Sequence, residues 1–375
     1  MSIYLDCNAT TPVDPEVLGV MMRYLSEEYG NAGSRTHEFG VRAKQAVEQA
    51  REHVANVVAA RREEVIFTSG ATESNNLVLL GLAGSAQTVS QRHIVSTTIE
   101  HKAILEPLDA LRQQGIEVTL ISPDRSGRID PQAVLAAVRP DTLLVSVMHA
   151  NNETGIVQPI EAIAEGLPDE VWLHVDAAQT FGKLIEPLRH PRIDLISVSA
   201  HKVYGPKGVG ALISRRRQGR RAPLAPLMYG GGQERGLRPG TQPVHLIAGL
   251  GAAAQLALRD NIERQAICLR FRDGVLTAMA QLGAQVNGDS AYCLPHVVNL
   301  SIPGVNSEAA MIALKGILAL SNGSACTSTS YEPSHVLVAM GLDPECIDSA
   351  LRLSWCHLTP SVDWPQVHAA LRRLM

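Results

Sequence analysis

An α/β fold is what this sequence predicts: a large domain with a mostly parallel, seven-stranded sheet between helices, joined to a smaller α+β domain. Three observations carry that reading. Short β-branched runs alternate with helical stretches, the pattern of a sheet covered on both faces. The length of 375 residues exceeds a typical single domain yet is short for three. With 45% hydrophobic and 19% charged residues, the chain is globular, and with 4% aromatics its core must be mostly Val, Ile, Leu and Ala.

The elements follow in order. After an extended opening, Asp14 and Pro15 read as an N-cap and a first-position proline leading into a helix over Glu16 to Leu25. A second helix suits Val41 to Ala59. Strands are predicted at Glu64 to Thr68, His93 to Thr98, Glu117 to Ile121, Leu143 to Met148, Val171 to Val175, Leu195 to Ser199 and Gly210 to Ile213. A Gly-rich passage spans Gly230 to Thr241, and near Asp260 a long helical pattern begins the second unit, with a strand at Asn299 to Ile302. The expected division is an N-terminal segment 1–14 packing with the small domain, a large domain 15–259 and a small domain 260–375.

Six cysteines lack CxxC spacing, and the start MSIYLDCNATTP has neither a basic patch nor an apolar stretch of secretory type. A disulfide framework is not expected, no apolar run reaches membrane-spanning length, and a reducing, cytoplasmic setting follows. The net charge of -4 gives no general attraction to nucleic acid; the local run Arg215, Arg216, Arg217, Arg220, Arg221 is expected to be a solvated turn.

Ligands of such sheets bind beyond the carboxyl ends of the strands, which selects Ser69 to Asn75, Glu100 to Lys102, His149 to Glu153, Asp176 to Gln179 and Ala200 to Lys202. Thr68 to Asn75 joins a strand to an apolar helical run beginning near Leu77, where N–H groups and hydroxyls suit a phosphate; the same pattern also makes an ordinary cap. Asp176 ends a buried strand, and a carboxylate there calls for a cation, such as a protonated pyridine nitrogen, or serves as a salt bridge or cap. Gln179 suits a neighbouring phenolic oxygen. Lys202 leaves another strand as a candidate nucleophile toward an aldehyde, flanked by Ser199 and His201 as phosphate donors, although alone it reads as a surface lysine. His101 suits stacking on a planar ring or carrying protons, or a structural role. Asn152 offers an amide to a cofactor oxygen or a carboxylate, and Arg352 a planar fork to an amino acid's carboxylate, or an interdomain salt bridge. Cys326 lies among small residues, Ser321 to Ser330, and is expected on a mobile, accessible loop; the other five cysteines are expected to pack. No metal ligand set is expected.

These pieces, in this order, resemble the cysteine desulfurases of the fold-type I pyridoxal-phosphate superfamily, in the subgroup with a Ser-x-Gly-Ser-Ala-Cys-Thr-Ser segment. The resemblance spans nearly the whole chain: Leu5-Asp6 with Asn8-Ala-Thr-Thr-Pro12, Phe67-Thr-Ser-Gly-Ala-Thr-Glu-Ser74, Glu100-His-Lys102, Asn151-Asn-Glu153, His174-Val-Asp176, His201-Lys202, Tyr204-Gly-Pro-Lys-Gly208, Gly230-Gly-Gly232 and Gly323-Ser-Ala-Cys-Thr-Ser328. It implies that Lys202 holds pyridoxal 5'-phosphate, His101 stacks on it, Asp176 and Gln179 address its ring, and Ala71, Thr72, Ser199 and His201 hold its phosphate, with Thr241 helping across a homodimer interface. It further implies that Asn152 and Arg352 bind the carboxylate of L-cysteine and that Cys326 accepts the sulfur as a persulfide, releasing alanine.

Cys7 stands where relatives often have Tyr, Ala200 where Gly is common and Pro239 where Ser is frequent; none removes a reacting group. The chain reaches Met375 soon after Arg352, whereas housekeeping iron–sulfur desulfurases carry a longer tail that contacts their scaffold, which counts against that partnership. Asn31 to Gly40 and Leu5 to Asn8 resemble the branch that supplies sulfur for DNA phosphorothioate modification. The sulfur acceptor is expected to be a DNA-modification partner, an iron–sulfur scaffold or a tRNA-thiolation enzyme. The rival readings are another pyridoxal-phosphate enzyme, such as an aminotransferase or selenocysteine lyase, and a silent scaffold binding partners through the arginine run.

Overall fold

The computed structural model describes residues 2–85, 90–322 and 333–375. A short strand, β1 (Ile3–Tyr4), precedes α1 (Pro15–Ser26), whose start is fixed as the sequence predicts: Asp14 Oδ1 accepts the Glu16 N–H at 3.0 Å and Pro15 occupies the first turn. Next come α2 (Glu38–Val57) and the seven strands of the main sheet: β2 (Val65–Thr68), β3 (His93–Thr97), β4 (Glu117–Ile121), β5 (Thr142–Met148), β6 (Trp172–Asp176), β7 (Leu195–Ser199) and β8 (Gly210–Ser214). Each lies within one residue of its predicted run. The order is β2-β8-β7-β6-β5-β3-β4. Neighbours from β7 to β4 are parallel, while β8 runs antiparallel to both β2 and β7.

The apolar runs are continuous because both faces are covered. Val145, Val147, Ile196 and Val198 belong to one core, with α2; their chain neighbours Leu144 and Leu195 point into the other, against α3 (Ala71–Ala83) and α4 (Lys102–Gln113). Two short helices, α5 (Pro131–Ala136) and α6 (Ile160–Gly166), complete the covering.

Beyond the sheet, α7 (Val244–Ala280) begins well before the helical pattern expected near Asp260. Its first half, rich in Gly and Ala and packed closely on α1 and α2, carries no amphipathic period for a sequence reading to find; Gly251 meets Ala50 so closely that a Cβ would stand 2.6 Å from the Ala50 Cα. Its second half contributes Cys268, Val275 and Met279 to a separate core. That core is shared with β10 (Val297–Ser301), α8 (Ser307–Ala313), β11 (Leu318–Ala319), β12 (Ala350–Ser354) and α11 (Trp364–Leu371); exposed β9 (Gln285–Val286) edges the sheet β12-β10-β9, while α9 (His335–Ala339) and α10 (Pro344–Asp348) turn Val336, Leu337 and Ile347 into the main core. The N-terminal segment joins this unit: β1 pairs in parallel with β11, and Asp6 bridges to Ser354. No described helix is long and apolar enough to cross a membrane.

The arginine run is only in part the solvated turn expected: Arg216 and Arg220 are exposed about a turn at 218–219, whereas Arg215 and Arg217 are engaged by the fold. Arg215 is buried, and its guanidinium donates to the carbonyls of Val58, Leu188, His190 and Ile193. Arg217 pairs with Asp194 and Asp169 at 2.8 and 2.9 Å. These side chains stitch loop carbonyls that helix and strand ends leave unbonded, a demand invisible in a bare run of like charges.

Candidate active site

A cavity of about 430 Å³ opens at the carboxyl ends of β5, β6 and β7, where the strand rule selects residues. Asp176, the last residue of β6, is only 6% exposed. Its oxygens accept from neutral donors, Asn75 Nδ2 at 2.7 Å and the Ala178 N–H at 2.9 Å, which leaves a buried carboxyl group at the cavity wall. Beside it Gln179 donates from Nε2 to the Asn8 carbonyl at 3.0 Å, while its buried Oε1 has no hydrogen-bond partner among the described residues.

Lys202 stands beyond β7 in a turn that is forced into shape: Tyr204, two residues on, is buried with φ at +65°, unusual for a bulky residue, and its N–H bonds Thr11 Oγ1 at 2.9 Å. Lys202 Nζ donates to the carbonyls of Asn8 and Ala9, the latter at 2.8 Å. The N-terminal segment, folded over from the second unit, thus supplies one wall.

At the opposite end, α3 begins at Ala71 rather than near Leu77, because polar Thr72, Glu73, Ser74, Asn75 and Asn76 make its first turns. Ala71 and Thr72 therefore put first-turn N–H groups at the cavity, alongside Ser199, His201 and Lys207. Close approach is possible because Gly210 on β8 lies against Gly70: a Cβ on Gly210 would stand 2.6 Å from the Gly70 Cα. Burial first, then the neighbouring Lys202 and Lys207, hold His201 down to about 4, so its ring is neutral and its Nδ1 shares a hydrogen bond with Thr10 Oγ1 at 3.1 Å.

His101 caps α4, with Nδ1 accepting the Ala103 N–H at 3.1 Å. In the neutral ring the proton then sits on Nε2. Burial holds its pKa below the ordinary histidine value, with the Asp176 charge opposing and Lys202 reinforcing. Asn152 lines the far wall, and its carbonyl accepts from Asn8 Nδ2 and Arg352 Nη1, both at 3.1 Å. Arg352, on β12, reaches the same cavity.

The cavity therefore gathers Ala71, Thr72, His101, Asn152, Asp176, Gln179, Ser199, His201, Lys202 and Arg352. Thr241 is exposed and outside it. Cys326 lies outside the described residues. Sequence reasoning missed Asn8, which acts mainly through its carbonyl, and the specific task of Asn75 within the Ser69–Asn75 stretch. Of the cysteines expected to pack, Cys7, Cys268 and Cys356 are buried and Cys293 and Cys346 partly so.

The donor set fits a pyridoxal 5'-phosphate: a lysine amine, a buried carboxylate bonded to no cation among the described residues, an amide oxygen beside it with no partner among them, and a helix N terminus with hydroxyl and imidazole groups for a dianion. The aminotransferase class-V family model matches residues 3–363. A cysteine desulfurase IscS from Anaeromyxobacter dehalogenans (strain 2CP-C) is 48% identical over 358 residues, covering 93% of this chain and 86% of that protein. The crystal structure of DndA from Streptomyces lividans is 50% identical with a TM-score of 0.83, covering 94% of this chain and 98% of that one. A structure of SspA in complex with cysteine is 36% identical with a TM-score of 0.81, over 96% and 100% of the two chains.

Proposed function

This chain belongs to the aminotransferase class-V family and is a cysteine desulfurase; from that premise we propose that it holds pyridoxal 5'-phosphate on Lys202 and moves sulfur from L-cysteine onto Cys326, releasing L-alanine. The observation that carries the reading is the convergence of Lys202, Asp176, His101, Asn152 and Arg352 on one cavity. The cofactor, when bound, supplies the electron sink that makes the Cα proton of an amino acid removable.

The chain's own residues do the rest. Asp176 holds positive charge at the ring nitrogen, and Gln179 addresses the ring oxygen. The N–H groups of Ala71 and Thr72, with Ser199 and His201, hold the phosphate, joined by Thr241 of a second copy in a homodimer. Asn152 and Arg352 orient the substrate carboxylate. Lys202 Nζ takes the Cα proton. The Cys326 thiolate then attacks the substrate Sγ; the C–S bond breaks, the sulfur stays on Cys326 as a persulfide, and its former carbon is protonated to alanine. His101 carries that proton on Nε2, since Nδ1 is engaged by the Ala103 N–H.

The division into an N-terminal segment 1–14, a large domain 15–259 and a small domain 260–375 belongs to the same reading, as do a cytoplasmic location and an acceptor protein for the persulfide. The relatedness to DndA, with the Asn31–Gly40 and Leu5–Asn8 resemblance, supports a DNA-modification acceptor; relatives named IscS support an iron–sulfur scaffold. The test is mass spectrometry of cofactor-loaded protein incubated with L-cysteine: the Cys326 peptide gains one sulfur atom, and Cys326→Ala yields neither that gain nor stoichiometric alanine. Unchanged alanine production by Cys326→Ala would defeat the reading.

A further inference from the structure

The carboxylate of Asp6 already sits on the guanidinium proposed above to bind substrate. Asp6 Oδ1 accepts from Arg352 Nη2 at 2.6 Å, with the two side chains 20% and 4% exposed respectively. Arg352 Nη1 is held by the Asn152 carbonyl at 3.1 Å, and Nε is buried with no hydrogen-bond partner among the described residues. Two acceptors on different elements therefore fix the plane of the guanidinium, while a further donor stays unengaged.

The placement of Asp6 is built into the backbone. Asp6 forms a parallel bridge with Ser354, two residues beyond Arg352. The Ser354 N–H donates to the Leu5 carbonyl at 2.8 Å, the Cys7 N–H to the Ser354 carbonyl at 3.0 Å, and the Asn8 N–H to Ser354 Oγ at 2.9 Å. From the other side, the Tyr4 hydroxyl bonds the Asp6 carbonyl at 3.0 Å and the Thr10 carbonyl at 3.1 Å. A residue held this firmly lends its rigidity to whatever its side chain grips.

We propose that Asp6 is a positioning residue for the amino-acid substrate: it orients the Arg352 guanidinium so that the α-carboxylate meets a preformed fork. This rests on the reading of Arg352 as the carboxylate clamp. Without Asp6 the guanidinium has one main-chain acceptor to orient it, and ligand binding must supply the ordering that the protein now provides. Asp6 touches neither the reacting carbon nor the sulfur, so its effect appears in affinity for carboxylate-bearing ligands and in KM more than in kcat.

The experiment compares L-alanine with L-alaninamide, which lacks the carboxylate, as ligands of cofactor-loaded protein, with calorimetric dissociation constants for wild type, Asp6→Ala, Asp6→Asn, Arg352→Ala and the Asp6→Ala/Arg352→Ala pair. Asp6→Ala weakens L-alanine roughly 10-fold and L-alaninamide less than about 2-fold, in line with the loss of a charge-assisted contact. Asp6→Asn, which keeps an acceptor oxygen, falls between, and Asp6→Ala adds nothing in the Arg352→Ala background. Equal weakening of both ligands, additivity with Arg352→Ala, or tighter L-alanine binding would each overturn the proposal, the last by making Asp6 a competitor for the clamp. Should Asp6→Ala fail to fold, Asp6→Asn carries the same comparison. If Arg352→Ala itself does not discriminate between the ligands, the clamp reading falls and Asp6 with it; if Arg352→Ala discriminates and neither Asp6 variant does, Asp6 alone falls.

Discussion

Asn75 and Asp176 are joined by a hydrogen bond of 2.7 Å from the amide Nδ2 to the carboxylate Oδ2, one residue from the second turn of α3 and the other from the tip of β6. It couples the helix that offers its N terminus to the cavity with the strand that offers an anion. The bond holds the Asp176 carboxylate in a single orientation toward the cavity.

Asn75→Ala removes that donor from a fully buried site. A hydrogen bond to a charged group contributes about 1.5–3 kcal/mol. Cofactor-loaded protein should therefore lose its cofactor on dialysis at least about 10-fold faster than wild type. Asn75→Asp is the sharper variant: two carboxylates at this distance cannot both ionise, so its cofactor affinity should fall further as pH rises, measured by equilibrium dialysis.

Lys202→Ala should abolish turnover, and borohydride treatment of the loaded variant should leave no cofactor attached to the peptide spanning residue 202. Lys202→Arg should do the same while keeping a cation for the Asn8 and Ala9 carbonyls. Equal thermal stability of Lys202→Arg and wild type, checked by calorimetry, would separate lost chemistry from lost folding.

Glu100 is buried beside His101, with Oε1 accepting from Thr97 Oγ1 at 2.7 Å and the Met148 N–H at 2.9 Å and Oε2 without a partner among the described residues. Burial pushes its pKa up to about 8, against those two bonds. The folded state thus binds a proton that the unfolded chain releases above its ordinary value, so this stabilisation is complete at low pH and lost as pH rises toward about 8. Glu100→Gln keeps an acceptor and a donor there at every pH. Its stability relative to wild type, from urea unfolding, should rise by a few kcal/mol between pH about 5 and 8.

The histidines act in the opposite sense. Burial holds His149 down to about 3 and His174 down to about 4, the latter against the Asp176 charge. Their contribution is complete above the unfolded histidine value of about 6.5 and lost as pH falls from there toward the folded values. His174→Gln should flatten the acid limb of the stability curve while lowering stability at neutral pH, because Ser146 Oγ and Ser197 Oγ lose ring-nitrogen partners at 2.8 and 2.9 Å.

Glu234 grips Arg51 through both oxygens, at 2.8 and 2.9 Å, and accepts the Phe67 N–H at 2.9 Å. The pair ties α2 and β2 to the Gly-rich passage. Breaking one partner of such a buried pair costs about 3–5 kcal/mol, which Glu234→Ala should show in equilibrium unfolding. Replacing both partners with apolar residues should cost less than the single change.

Much of this was legible from the chain alone, for definite reasons. The main-sheet strands show as apolar runs because both faces are buried, and the polar residues after them mark the cavity because strand ends point there. The start of α3 was hidden, since Thr72 and Asn75 face a cavity while Glu73 and Ser74 bond Arg238 and Thr68, and these polar residues break the apolar period that reveals a helix. The start of α7 was hidden by small residues packed on several sides. Asn8 and Asp6 were beyond reach for another reason: their tasks depend on main-chain carbonyls and on a strand register that pairs residue 6 with residue 354.

That last pairing has a consequence for how the molecule comes into being. A segment made well before the main sheet is seated against β11 and β12, which are made long after it. The main sheet can collapse while synthesis continues, yet the bridge from Asp6 to Ser354, which completes the seating of the segment carrying the Asn8 and Ala9 carbonyls, forms only after β12 is made. Cofactor capture should therefore be a late, post-translational event, and a nascent chain halted before residue 350 should bind none.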